Sequence, residues 1–99
     1  METTKQFDGK VLNLSISGHI DATTAPELEK IVNGDLAKAE KVVFDFEKVE
    51  YISSAGLRVL LSVHKSMASK GGEFILQNVS ADVKNVLEMT GFLSFLKVK

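Results

Sequence analysis

Apolar residues along the chain change their spacing several times, and each change marks a predicted element. In KVLNLSISG, Val11 is followed by Leu12, Leu14 and Ile16 on a period of two, with Asn13, Ser15 and Ser17 between them. That alternation predicts a strand with one buried face. Phe7 ahead of Asp8-Gly9 predicts a short preceding strand and a tight turn, so the chain opens with a hairpin. After Gly18 the period lengthens. Leu28, Ile31, Val32 and Leu36 lie three or four apart, as on an amphipathic helix. Thr24 with Glu27 reads as a capping box and Pro26 suits a first turn, so the helix is expected over about residues 25–36.

The run KVVFDFEKV has few polar positions and predicts a central strand covered on both faces, with Asp45 near its end. In YISSAGLRVLLSVHKSMASKGG the helical spacing returns through Leu57, Leu60, Leu61, His64 and Met67, widened by Val59 and Val63. Lys70 and Gly71-Gly72 close that helix. A buried strand comes next, around Phe74, Ile75 and Leu76. A third helix has Ser80 as N-cap, Val83, Val86 and Leu87 as its stripe and Gly91 as its stop; FLKVK is a short last strand. The order is β-β-α-β-α-β-α-β. It predicts an α/β fold with a mixed, mostly parallel sheet of five strands and three main helices, packed mainly on one face or shared between two.

Bulk properties narrow the function classes. The 99 residues suit one domain with a modest core and no second module. A net charge of -1 provides no global field toward nucleic acid or an anionic membrane. No apolar run approaches a membrane span and no secretory leader is visible, so neither membrane insertion nor direct nucleic-acid binding is expected. The absence of cysteine excludes disulfide and thiol chemistry and suits a reducing, cytoplasmic setting. His19 and His64 lie 45 positions apart outside any dense ligand spacing, so no metal site is expected. No nucleophile elbow, Walker loop, acid–base carboxylate pair or triad is legible; the chain is expected to carry no cofactor and to be no enzyme.

Ligand and partner sites in α/β sheets gather beyond the C-terminal ends of the parallel strands. Two loops are expected to meet there, HIDATT and YISSAG. Ser54 is the expected N-cap of the second helix, accepting from the amide near Gly56 or Leu57. A phosphate on it would be partly compensated by first-turn amides. A plain cap and a modified serine both fit these residues. Asp21 either ties down its own loop or sits beside Ser54 and contacts a partner.

The run FDFEKVEYISSAGLRVLLSVHK resembles the signature of the STAS domain family, specifically the bacterial anti-sigma factor antagonists. SGHIDATTAPEL resembles the family's Gly-x-(Leu/Ile)-Asp loop, and LQNVSADVKNVLEMTGF its third helix. The three motifs stand in the family's order and span nearly the whole chain. The resemblance implies a STAS-type sheet and a phosphoacceptor at Ser54, with Ser53 as the alternative. It also implies a partner-binding surface at Asp21, Thr23, Thr24, Ser53, Ser54, Ala55, Gly56, Leu57 and Arg58. The implied partners are an anti-sigma factor that is a GHKL-type serine kinase and a metal-dependent serine phosphatase. The unphosphorylated protein would bind the kinase and free a sigma factor; phosphorylation would end binding. Ser53 departs from the Asp that many members carry, and Ala55 from Ser or Thr. The rival readings are a STAS scaffold in a stress-sensing or transport-associated assembly, and a small-ligand-binding α/β domain.

Overall fold

The computed structural model describes residues 1–99. Five strands form one sheet: β1 (Glu2–Asp8), β2 (Val11–Ile20), β3 (Lys41–Ile52), β4 (Glu73–Gln77) and β5 (Lys97–Val98). The helices are α1 (Ala25–Asn33), α2 (Ser54–Ser69) and α3 (Ala81–Met89), with a 3-10 turn at Phe92–Ser94. Strand order in the sheet is the order in the chain; β1 pairs antiparallel with β2 and every later pair is parallel. The expected α/β class and mixed sheet are therefore present.

This order explains where the helices lie. Crossovers between parallel strands are right-handed, and three of them stepping in one direction lay every helix on the same face. The core reflects that. Leu12, Leu14 and Ile16, Val42, Phe44 and Phe46, and Phe74 and Leu76 share one cluster with Leu28 and Val32 of α1, Leu60 and Val63 of α2, and Val83 and Leu87 of α3. On the opposite face only Val43 and Ile75 are buried, side by side in register and outside that cluster. The sequence left two faces open as homes for the helices; the structure uses one.

Four boundaries differ from expectation. β1 is a seven-residue strand, because the hairpin turn at Gly9, with φ 64, continues the pairing back to Glu2 opposite Ser17. α1 ends at Asn33, and Leu36 is buried from the turn beyond it. β5 holds only Lys97–Val98 because the preceding FLS forms the 3-10 turn. Asp45 is not near the end of β3, which continues to Ile52. Its carboxylate accepts from the Glu47 amide at 3.0 Å and from Asn78 Nδ2 at 3.1 Å, where β3 first departs from regular pairing.

Those departures matter for the site. Ser15 pairs with Asp45 but Ser17 with Lys48, and Gly18 with Val49 but His19 with Tyr51. β3 thus carries two extra residues relative to β2. Each bulge bends the strand and re-aims the residues beyond it. After both, Ile20 and Ile52 stand opposite each other and both point into the core. The two loops that leave them begin side by side.

Candidate functional site

The junction is fastened by backbone. The Ser53 amide donates to the Ile20 carbonyl at 2.8 Å, one step past the last strand pair. This bond holds Ser53 extended, at φ -95 and ψ 177, so Ser53 and not Ser54 is the N-cap of α2. Ser53 Oγ accepts from the Gly56 amide at 3.4 Å, and its carbonyl accepts from the Leu57 amide at 2.9 Å. The expected cap is corrected by one residue. Two adjacent serines have equal capping chemistry; the Ile20 carbonyl, brought from another strand, decides between them. Ser54 becomes the first helical residue, with its side chain exposed.

Gly56 is the closest approach in the site. A Cβ there would lie 2.7 Å from Ile52 Cγ1, 2.8 Å from Ile20 Cγ2 and 2.9 Å from the Ile20 carbonyl oxygen. Only glycine lets α2 start this near the end of β2. Gly56 is buried and Leu57 is part of the core cluster. Both were expected to touch a partner; the structure buries them beneath the exposed residues around them.

The Asp21 loop is a closed hydrogen-bonded unit. Asp21 Oδ1 accepts from the Thr23 amide at 2.9 Å and the Thr24 amide at 3.1 Å. Thr24 Oγ1 accepts from the Asp21 amide at 2.9 Å and donates to the His19 carbonyl at 2.8 Å. Thr24 occupies the N-cap of α1 but makes no side-chain cap bond, so the expected capping box with Glu27 does not form. Its hydroxyl is already spent on the strand end. Pro26 does sit in the first turn.

The bond from the Thr24 amide, opposed in part by desolvation and aided by the Thr23 amide, the Thr24 hydroxyl and His19, holds the Asp21 carboxyl below its ordinary range. Folding lowers this pKa, so the loop clasp is fully present above the unfolded-chain carboxylate value. It is lost as pH falls through the lower folded value. The protection of the Thr23 and Thr24 amides, taken relative to the unprotected exchange rate at each pH, is expected to fall several-fold across that acid window. In Asp21→Ala the same protection should already be low at neutral pH. Unchanged protection in the variant would show that the loop does not depend on the carboxylate.

The surface that emerges has Asp21, Thr23, Ser54 and Arg58 around it, with Ala55 half-buried. A cleft of about 300 Å³ runs between α1 and α2, lined by residues including Ala22, Pro26, Glu29, Ala55, Arg58 and Ser62. Pro26, Glu29 and Ser62 were not legible as site residues; their exposed places beside the apolar stripes of two adjoining helices are the signal that could have found them. At the other side of the loop His19 Nε2 lies 3.8 Å from Glu50 and its ring meets Tyr51 edge-on at 5.9 Å. His64 lies away from the loops, its ring 4.8 Å from that of Phe95. The geometry offers an exposed hydroxyl, a fixed carboxylate and one cation on a shallow surface suited to a protein partner.

Comparison with known proteins agrees with that reading. The STAS domain model matches residues 2–99. BtrV of Bordetella bronchiseptica, named an anti-sigma factor antagonist, is 36% identical over 97% of this chain and 83% of its own. The crystal structure of a Thermotoga maritima protein, assigned by name to the anti-sigma factor antagonists, superposes with a TM-score of 0.90 at 26% identity, covering 97% of this chain and 84% of that one. SpoIIAA of Bacillus shares the fold at 14% identity. Its unphosphorylated form gives a TM-score of 0.82 over 99% of this chain and 87% of its own, and its phosphorylated form gives 0.79 over 99% and 91%. These relatives are regulators by name, and no helix here is long and apolar enough to cross a membrane. The chain, matched from its second residue to its last and similar along its length to named anti-sigma factor antagonists, belongs to the STAS domain family.

Proposed function

We propose that this protein is an anti-sigma factor antagonist whose docking surface is the Asp21 loop together with the start of α2, switched off by phosphorylation of Ser54. Unphosphorylated, it binds an anti-sigma factor that is also a GHKL-type serine kinase, and a sigma factor is released. Transfer joins Ser54 Oγ to the γ-phosphorus of ATP, releases ADP and passes the hydroxyl proton to a base of the kinase. A metal-dependent serine phosphatase restores the hydroxyl. The reading places this exchange in the cytoplasm.

One observation carries the choice of residue. Ser54 is exposed at the first helical position, whereas the Ser53 hydroxyl is engaged as the cap and only half exposed. A phosphoserine brings about -1.5 to -2 charge. Inside a docked interface that charge must lose its water, and it repels partner carboxylates. The fit to SpoIIAA both with and without its phosphate supports a switch that acts at the surface and leaves the fold unchanged.

Incubation with a candidate kinase and ATP, followed by mass spectrometry, tests the assignment. One phosphate is expected, localised to Ser54. Ser54→Ala should take none and still bind the kinase; Ser53→Ala should still be modified. Ser54→Asp should bind more weakly, as a partial mimic. Phosphate incorporated by Ser54→Ala would move the acceptor and refute the proposal.

A further inference from the structure

Arg58 is the only arginine in the chain. It lies four residues after Ser54 on α2, and residues four apart share a helix face. Ser54, Arg58, Ser62 and Lys65 form an exposed stripe, opposite the buried Leu60, Val63 and Met67. The guanidinium enters none of the four ion pairs of the structure. Glu29 lines the same cleft from α1, yet the two do not pair. The other positive candidate near the loops, His19, is directed toward Glu50.

The backbone at this helix start leaves the arginine an opening. Of the free amides at this helix start, Ser53 already donates to the Ile20 carbonyl and Gly56 to Ser53 Oγ. A phosphate on Ser54 therefore finds only part of the usual set of amide donors. Its remaining oxygens are open to a charged partner, and a planar guanidinium donates to phosphate in a two-pronged pair that a lysine cannot reproduce.

We propose that Arg58 is the internal partner of the phosphate on Ser54, closing a one-turn clamp along α2. The inference rests on Ser54 being the residue that bears the phosphate. Its consequence is regulatory. Without phosphate, the guanidinium is free at the rim of the α1–α2 cleft for a carboxylate of the partner. With phosphate, it turns back toward Ser54. The docking surface then loses its one arginine in the same event that gives it an anion.

The test needs no kinase. Phosphoserine is installed at position 54 of the full chain by codon reassignment, in the wild type, in Arg58→Gln and in Arg58→Lys. The second ionisation of the phosphate is followed by phosphorus NMR. The wild-type midpoint is expected to lie lower than that of Arg58→Gln by about 0.4 in pH, from a strong i,i+4 ion pair. Arg58→Lys should fall between them. The Arg58 Nε–H resonance of the wild type should move with the phosphate's own midpoint. Coincident phosphate titrations for wild type and Arg58→Gln, or an Arg58 resonance indifferent to the titration, would overturn the clamp. A kinase that ignores Ser54 would defeat the preceding proposal and leave this measurement unaffected.

Discussion

Gly56→Ala is expected to destabilise the protein by about 1–3 kcal/mol, the usual range for forcing an extra carbon into a packed site, and to slow phosphorylation although Ser54 itself is untouched. The new Cβ would meet two isoleucine side chains and, at 2.9 Å, the carbonyl oxygen of Ile20. The side chains can turn aside. The carbonyl cannot, because it accepts the Ser53 amide at 2.8 Å, the bond that makes Ser53 the cap. Relief must come from moving the start of α2 away from β2, and that carries Ser54 away from the Asp21 loop. Alanine's better helix propensity returns less than about 1 kcal/mol and does not cancel the clash. Gly34→Ala is the control: nothing lies within 4 Å of a Cβ there, and its φ of -72 suits any residue. Urea unfolding followed by circular dichroism compares the two. Equal stability for both variants would mean that the junction has slack which the distances exclude.

Phe44→Ala should cost more, about 3–5 kcal/mol, as for other large aromatic deletions from a core. Phe44 is fully buried on the central strand. Its ring meets Phe74 edge-on at 4.9 Å and stacks beside Phe46 at 6.4 Å. The deletion would empty the space between β3 and β4 under the helices. A small domain has only about 5–15 kcal/mol in total, so a large share of its stability would go. The same unfolding measurement reads it, and a loss below about 1.5 kcal/mol would show that neighbouring side chains collapse into the hole.

Much of this architecture is legible from spacing alone. Leu12, Leu14 and Ile16 mark β2; Leu57, Leu60 and Val63 mark α2; Ser80 does cap α3, accepting from the Val83 amide at 3.3 Å. Gly91, with φ 80, ends that helix region as expected. The meeting of the HIDATT and YISSAG loops is likewise foreseeable, because parallel strands deliver their trailing loops to one end. The features that stay hidden depend on strand pairing or on competing bonds that spacing does not reveal. Glu47, Lys48 and Glu50 break the alternation of β3, and only the pairing with β2 reveals that they belong to a bulged strand. Thr24 looks like a cap until the His19 carbonyl claims its hydroxyl. Ser53 and Ser54 are indistinguishable until Ile20 selects one. β1 is almost wholly exposed, so burial imposes no alternation on its residues.

Because spatial order in the sheet repeats order along the polypeptide, no strand has to be threaded between two that have already paired. Each newly synthesised segment meets a waiting edge made by the segment just before it. Such a chain can assemble from its N-terminus as it leaves the ribosome, with the β1–β2 hairpin as template and only one unfinished border exposed at a time.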